Sequence, residues 1–129
     1  VFNLSIEYQN EMVYTEKVGK YLIISFYDKL MDAPRAFRLK TELKSILTQP
    51  EVAVVMDLSH VEVIDSAGFG VLISLLKRIK FLKGTLAITG VNPAVLELFT
   101  FLNLNKVFDI RAEIDYNLSL HEQPVSVTT

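Results

Sequence analysis

The 129-residue chain has no cysteine and no tryptophan, only five glycines and four prolines, and few charges, 22% of all residues. Without cysteine there can be no disulfide scaffold, thiolate nucleophile or cysteine-based zinc site, and the composition suits a reducing compartment, so a cytoplasmic location is expected. Neither sign of charge dominates: 13 Lys and Arg stand against 15 Asp and Glu, a formal net charge of −2, with a pI near 5.7. Neutralising many phosphates takes a basic face, so nucleic acid is not an expected partner. Mean hydropathy is high, +0.33, yet the longest stretch without a formal charge runs only from Gly84 to Leu96 and contains Pro93. A membrane-spanning helix needs ~20 largely apolar residues, so no membrane insertion is expected. Val1 to Tyr8 alternate apolar and polar residues rather than following a basic segment with an apolar run, so no signal peptide is read there.

What is present is a core. Half the residues are hydrophobic, which suffices for one domain of ~100–150 residues. The expectation is a single domain over 1–129, with its core at about 21–111 and an unstructured tail at 123–129. Phe2, Leu4, Ile6 and Tyr8 have the period of a half-buried strand, Val13 to Val18 extends this edge, and Tyr21 to Phe26 reads as a strand covered on both faces. Asp32 with Pro34 opens a helix through Ala36, Leu39, Leu43, Ile46 and Leu47 that must stop before Pro50. Val52 to Leu58 is a buried strand, a second helix starts within Asp65 to Gly70, runs to about Leu82 and closes at Lys83-Gly84, and Thr85 to Thr89 is a short strand. Asn92-Pro93 opens a third helix with Val95, Leu98, Phe99 and Leu102 on one stripe; Val107 to Ile110 is a last strand, and Glu113 to Leu120 a short terminal helix. Strands alternating with helices mean an α/β fold whose sheet is mixed and largely parallel, with an antiparallel N-terminal edge. An unpaired first strand would leave room for a homodimer, though no residue demands one.

The densest local signal is Asp65-Ser66-Ala67-Gly68-Phe69-Gly70. Its small residues let another backbone approach, and Ser66 falls at or just before a helix N-terminus, where free N–H groups and the dipole stabilise an anion. A phosphoryl group there would be tolerated locally while adding about −1.5 to −2 of charge to any docking surface. The alternative is that Ser66 merely caps the helix. Leu72, Leu75, Leu76, Ile79 and Leu82 form the stripe expected to face the sheet. Phe69 and Ile73 lie off its centre, either as a binding patch or buried under a neighbouring helix.

Other chemistries lack their residues. The only histidines are His60 and His121, and the Gly-x-Ser-x-Gly elbow fails because position 64 is Ile, which argues against serine hydrolysis. Position 73 is Ile, so Gly68 and Gly70 do not complete a dinucleotide fingerprint, and no phosphate-binding Gly-x-x-x-x-Gly-Lys-[Ser/Thr] loop occurs. Asp28 and Asp32 share a loop without an evident third ligand, so neither metal nor cofactor is expected. Val54 to Asp57 resembles a response-regulator phosphoacceptor strand, but no acidic pair follows Phe26 and no lysine follows Ile110.

Asp57-Leu58-Ser59-His60-Val61 followed by Ile64-Asp65-Ser66-Ala67-Gly68-Phe69-Gly70-Val71-Leu72 resembles the signature of STAS domains, found in anti-sigma factor antagonists and in the C-terminal regions of sulphate transporters. The resemblance covers about Tyr21 to Arg111. It implies helices packed mainly on one face of the sheet and a binding module rather than an enzyme. It also implies partners: an anti-sigma factor with serine kinase activity, and a phosphatase that removes the phosphate. Ser66 takes the phosphoacceptor place, and Asp65, Ala67, Gly68, Phe69, Ile73 and Asp32 are the expected partner-binding residues. The loop after Phe26 departs from the family's Gly-x-[Leu/Ile]-Asp pattern, reading Asp28-Lys29-Leu30-Met31 with its acid displaced to Asp32. That departure keeps a second role open, as a STAS adaptor or scaffold in another signalling or transport-associated complex.

Overall fold

The structure, a computed structural model, describes residues 4–114 and Tyr116, with side chains from Gln9 onward. The strand residue Phe2, five of the eight residues of the helix expected over Glu113–Leu120, and the tail at 123–129 lie outside the described residues.

The N-terminal edge is a meander. β1 (Leu4–Gln9) pairs antiparallel with β2 (Val13–Val18), with a bulge between Ile6 and Tyr8. Asn10 turns the chain by accepting hydrogen bonds at Oδ1 from the Met12 and Val13 N–H groups, at 2.7 and 2.8 Å. β2 pairs antiparallel with β3 (Tyr21–Phe26), and the tight turn between them is possible because Gly19 takes φ +59°. From β3 the sheet becomes parallel, through β5 (Ala53–Asp57), β7 (Thr85–Thr89) and β8 (Asp109–Arg111), giving the order β1-β2-β3-β5-β7-β8. All six residues of β3 are buried, as expected for a strand between two covered faces.

Three helices share one face: α1 (Ala33–Ile46), α2 (Ser66–Phe81) and α3 (Pro93–Phe101). Their apolar residues join Leu22, Ile24, Phe26, Val54, Met56, Leu86, Ile88 and Ile110 in one core. The opposite face holds a smaller cluster of Val18, Tyr21, Ile23, Val55 and Ala87, against which Ile114 and Tyr116 pack. Tyr116 meets the Tyr21 ring edge-on at 5.4 Å. Burial, with the nearby acids Asp57 and Glu16, pushes its phenol above the usual tyrosine range. Successive residues of β3, β5 and β7 point to opposite faces, which places Leu22, Ile24, Phe26, Val54, Met56, Leu86 and Ile88 under the helices and Tyr21, Ile23, Val55 and Ala87 on the other side.

The helix stripes differ from the expected ones. On α2, Phe69 and Val71 are buried along with Leu72, Leu75 and Ile79, while Leu76 is only partly so. The reason is lateral: α2 lies between α1 and α3, and Phe69 packs edge-on against Phe99 of α3, 5.1 Å between ring centres. On α3 only Val95 and Phe99 are buried; Leu98 and Leu102 are exposed, because this short helix covers the sheet with one narrow face. The last strand begins at Asp109, later than expected, because a 3-10 turn at Leu104–Lys106 runs on through Val107 and Phe108, whose N–H groups both donate to the Leu104 carbonyl.

α2 ends in a Schellman motif: the Gly84 N–H donates to Ile79 O at 2.9 Å and the Lys83 N–H to Lys80 O at 2.9 Å. The left-handed residue is Lys83, φ +60°, and not Gly84. Gly84 serves another purpose, since a Cβ there would collide with the Val52 carbonyl. The two neighbours should therefore respond oppositely. Lys83→Gly is expected to raise stability by about 0.5–1 kcal/mol, by relieving the left-handed strain. Gly84→Ala is expected to lower it by roughly 1–3 kcal/mol, the usual cost of overpacking. Urea denaturation of both variants checks the pair, and equal signs would contradict this reading of the turn.

Candidate functional site

Two short strands that the sequence pattern does not announce build the site. β4 (Leu30–Met31) pairs in parallel with β6 (Val63–Ile64), apart from the main sheet, in the register Leu30↔Val63 and Met31↔Ile64. The Lys29 carbonyl accepts from the N–H groups of Glu62 and Val63, at 2.7 and 3.0 Å, and the Met31 carbonyl from the Asp65 N–H at 3.2 Å. Each strand is followed at once by an aspartate and a helix, Asp32 before α1 and Asp65 before α2. The register therefore sets the two capping aspartates side by side.

Asp65 holds an extended backbone, φ −94° and ψ −176°, and its Oδ1 accepts from the Gly68 N–H at 2.9 Å. This is an N-cap, worth ~1 kcal/mol. The capping role left open for Ser66 is thus filled by its neighbour, and Ser66 is the first helical residue, N1. Ser66 is exposed, and its hydroxyl makes no hydrogen bond among the described residues. No acidic residue lies in the first turn of α2. The N-terminal N–H groups and positive dipole end are therefore opposed only by the cap itself.

Gly68 allows this arrangement. A Cβ at Gly68 would lie 2.6 Å from both the Met31 carbonyl oxygen and Ile64 Cγ2. Only glycine lets the first turn of α2 rest on β4 and β6. Gly70 is different: it is exposed, and a Cβ there would meet nothing within 4 Å. Its absent side chain serves no packing inside the chain and leaves the surface beside Ser66 flat.

Of the other expected partner-binding residues, Asp65 and Ala67 are partly exposed, and Ile73 is partly buried against the core. Phe69 is buried on Phe99, so its ring anchors the first turns of α2 and is not surface. Asp32 caps α1 by accepting from the Arg35 N–H at 3.3 Å, and its Oδ2 pairs with Arg35 Nη1 at 2.9 Å. Arg35 Nε also reaches Asp28 at 3.2 Å, so one guanidinium ties both acids of the departed loop together. The sequence reading missed Arg35; its i, i+3 spacing from Asp32 was the available signal. Desolvation pushes the Asp32 carboxyl up, but hydrogen bonds from the Arg35 side chain and backbone, with the guanidinium charge, outweigh it and hold the group below its ordinary range.

Groups for other chemistries are not assembled here. His60 is exposed and lies edge-on to Tyr27 at 6.4 Å. Asp57 Oδ1 accepts from the Ser59 N–H at 2.9 Å, so this carboxylate organises the turn after β5. Among the described residues no group of His, Asp and Glu is placed to hold a metal ion, and no helix is long and apolar enough to cross a membrane.

A parallel sheet with an antiparallel edge, three helices on one face and a serine at the head of the second helix define a class that comparison identifies. The STAS domain family model matches residues 13–117, and the chain belongs to that family. Over 89 residues it is 26% identical to BtrV of Bordetella bronchiseptica, which bears the name of an anti-sigma factor antagonist; the match spans 69% of this chain and 77% of BtrV. An anti-sigma-factor antagonist (STAS) domain protein of Planctomyces limnophilus superimposes with a TM-score of 0.71 at 19% identity, over 79% of this chain and 90% of that one. The Bacillus cell fate determinant SpoIIAA in its phosphorylated form gives a TM-score of 0.56 at 14% identity, over 88% and 93% of the two chains. These structural likenesses establish the fold.

Two glycines two residues apart, on nearly opposite sides of α2, should behave oppositely. Gly68→Ala is expected to destabilise the protein by roughly 1–3 kcal/mol through the clash with Met31 and Ile64. Gly70→Ala is expected to stabilise it by about 0.5–1 kcal/mol through helix propensity. Chemical denaturation measures both, and a stabilising Gly68→Ala would refute the close approach. Acid gives a second check. The folded pKa of Asp32 is lowered, so its contribution is fully present above the ordinary carboxylate value, ~3.9, and is lost as pH falls through the lower folded value. The melting-temperature gap between wild type and Asp32→Asn should hold from neutral pH down to about pH 4 and close below it. A gap that widens on acidification would contradict the ion pair with Arg35.

Proposed function

We propose that the protein is a phosphorylation-switched anti-sigma factor antagonist, a binding module and kinase substrate in the cytoplasm rather than an enzyme. Unphosphorylated, it docks through the first turns of α2 and the neighbouring Asp32 loop onto an anti-sigma factor that is also a serine kinase. Phosphorylation of Ser66 ends that binding, and a serine phosphatase restores it.

The observation that carries the reading is the division of labour between Asp65 and Ser66. Asp65 caps α2, which leaves the Ser66 hydroxyl exposed, without a hydrogen bond among the described residues, and spare. A phosphoryl group on a first-turn residue is accommodated by the helix N-terminus, so the fold persists. The same group adds about −1.5 to −2 of charge beside two carboxylates, Asp65 and Asp32. The guanidinium that pairs with Asp32, that of Arg35, is already shared between Asp28 and Asp32. A contact that must exclude water at Ser66 would then bury charge without a counter-ion, which is what breaks an interface. The flat surface at Gly70 supports close docking by a partner beside Ser66.

The test uses wild-type and Ser66→Asp proteins as baits in a lysate of the source organism, with recovered proteins identified by mass spectrometry. The expected result is a kinase-type anti-sigma factor on the wild-type bait, with an affinity lost by roughly a hundredfold or more in Ser66→Asp, the scale of an unpaired buried carboxylate. Both baits should melt at nearly the same temperature. Recovery of the same partners by both baits would overturn the switch and leave an adaptor role.

A further inference from the structure

Between α1 and α2 lies a cleft of about 300 Å³ whose lining does not include Ser66. Its deep wall is apolar, made by Leu43 and Leu47 from one side and Val71 and Leu75 from the other, all buried. Its outer wall is cationic: Lys40 and Lys44 are exposed and Arg78 is partly buried. The Arg78 Nε donates to the Leu47 carbonyl at 3.1 Å, which fixes the guanidinium at the cleft. Among the described residues no carboxylate lines this space.

Three cations converge here in a chain whose net charge is −2. Lys29, Arg35, Arg38 and Arg111 have carboxylate partners, and the other lysines, Lys17, Lys20, Lys77, Lys80, Lys83 and Lys106, do not line this recess. Lys40, Lys44 and Arg78 have none among the described residues. Lys44 and Arg78 fall in the last turns of their helices, where a cation suits the dipole. That accounts for a basic residue in each turn, but not for an apolar recess between them or for the lack of any acid around it.

We infer that this cleft binds a small anionic amphiphile, a phosphate or carboxylate on a short alkyl body. The volume is at the lower end for ligand pockets, about 300–1,000 Å³, so the alkyl chain must be short. Its apolar part enters between Leu43, Leu47, Val71 and Leu75, while Lys40, Lys44 and Arg78 hold the anionic head by charge-assisted hydrogen bonds. Bound there, the ligand bridges α1 to the same helix that carries Ser66. The inference stands independently of the role proposed for Ser66.

Amide chemical-shift titration of the full chain tests it, with octyl phosphate below its micelle concentration, inorganic phosphate, and octyl glucoside as three arms. Octyl phosphate should give saturable shifts at Leu43, Lys44, Leu47, Ser74 and Leu75. The head group alone and the uncharged amphiphile should each bind at least about tenfold more weakly, since each lacks half of the recognition. Lys40→Gln with Lys44→Gln should weaken octyl phosphate by about tenfold or more. Ser74→Leu should weaken it by filling the cleft, and the remote Lys106→Gln should leave it unchanged. An equal response to octyl glucoside, no saturable shift at the cleft, or wild-type affinity in the double lysine variant would each overturn the inference.

Discussion

The contact between the first turn of α2 and the backbone of β4 is the constraint on which the site depends. Gly68 brings the helix so close to the Met31 carbonyl that a single methyl group would intrude on it. That same carbonyl accepts the Asp65 N–H, so strand, cap and helix start are locked by adjacent atoms. Asp65 closes the lock from its other end through the Gly68 N–H. Phe69, on Phe99, fixes the turn from the side of α3. Ser66 thus sits on a rigid support with its own side chain uncommitted.

The site has the electrostatics of a helix N-terminus used sparingly. Two helices begin side by side, each capped by an aspartate, and only one guanidinium is present to offset them. The positive ends of the two helices favour a nearby anion. Further along α1 and α2 the balance is reversed, with Lys40, Lys44 and Arg78 gathered around an apolar recess that no acid lines among the described residues. The two poles of one helix pair therefore carry different chemistry, and α2 spans both.

How much of this could be read in the sequence varies with the range of the interaction. Two helix starts were legible because their signals are local: Asp32 with Pro34 and Asn92 with Pro93 both prove to be caps. The buried strands and the antiparallel edge were legible from alternation and from the apolar run at β3. β4 and β6 were not, since two residues have no period and their pairing joins segments more than thirty positions apart. The fate of Phe69 was not legible either, because periodicity gives the face of a helix but not the width that its neighbours cover. Assigning the cap to Asp65 instead of Ser66 needed one hydrogen bond, and the pattern of residues alone allowed either. Arg35 and the cationic cleft depend on where side chains converge across elements, which no spacing rule conveys.

We propose that a phosphate on Ser66 changes the surface and leaves the fold in place. The direct measurement is a comparison of amide spectra and melting temperature between the unmodified protein and protein carrying phosphoserine at position 66. The account predicts shifts confined to the first turn of α2, β4 and Asp32, a Gly68 amide still protected by its bond to Asp65, and nearly unchanged melting. Shifts spread through the main sheet, or loss of protection at Gly68, would contradict it by showing that phosphorylation acts through the fold.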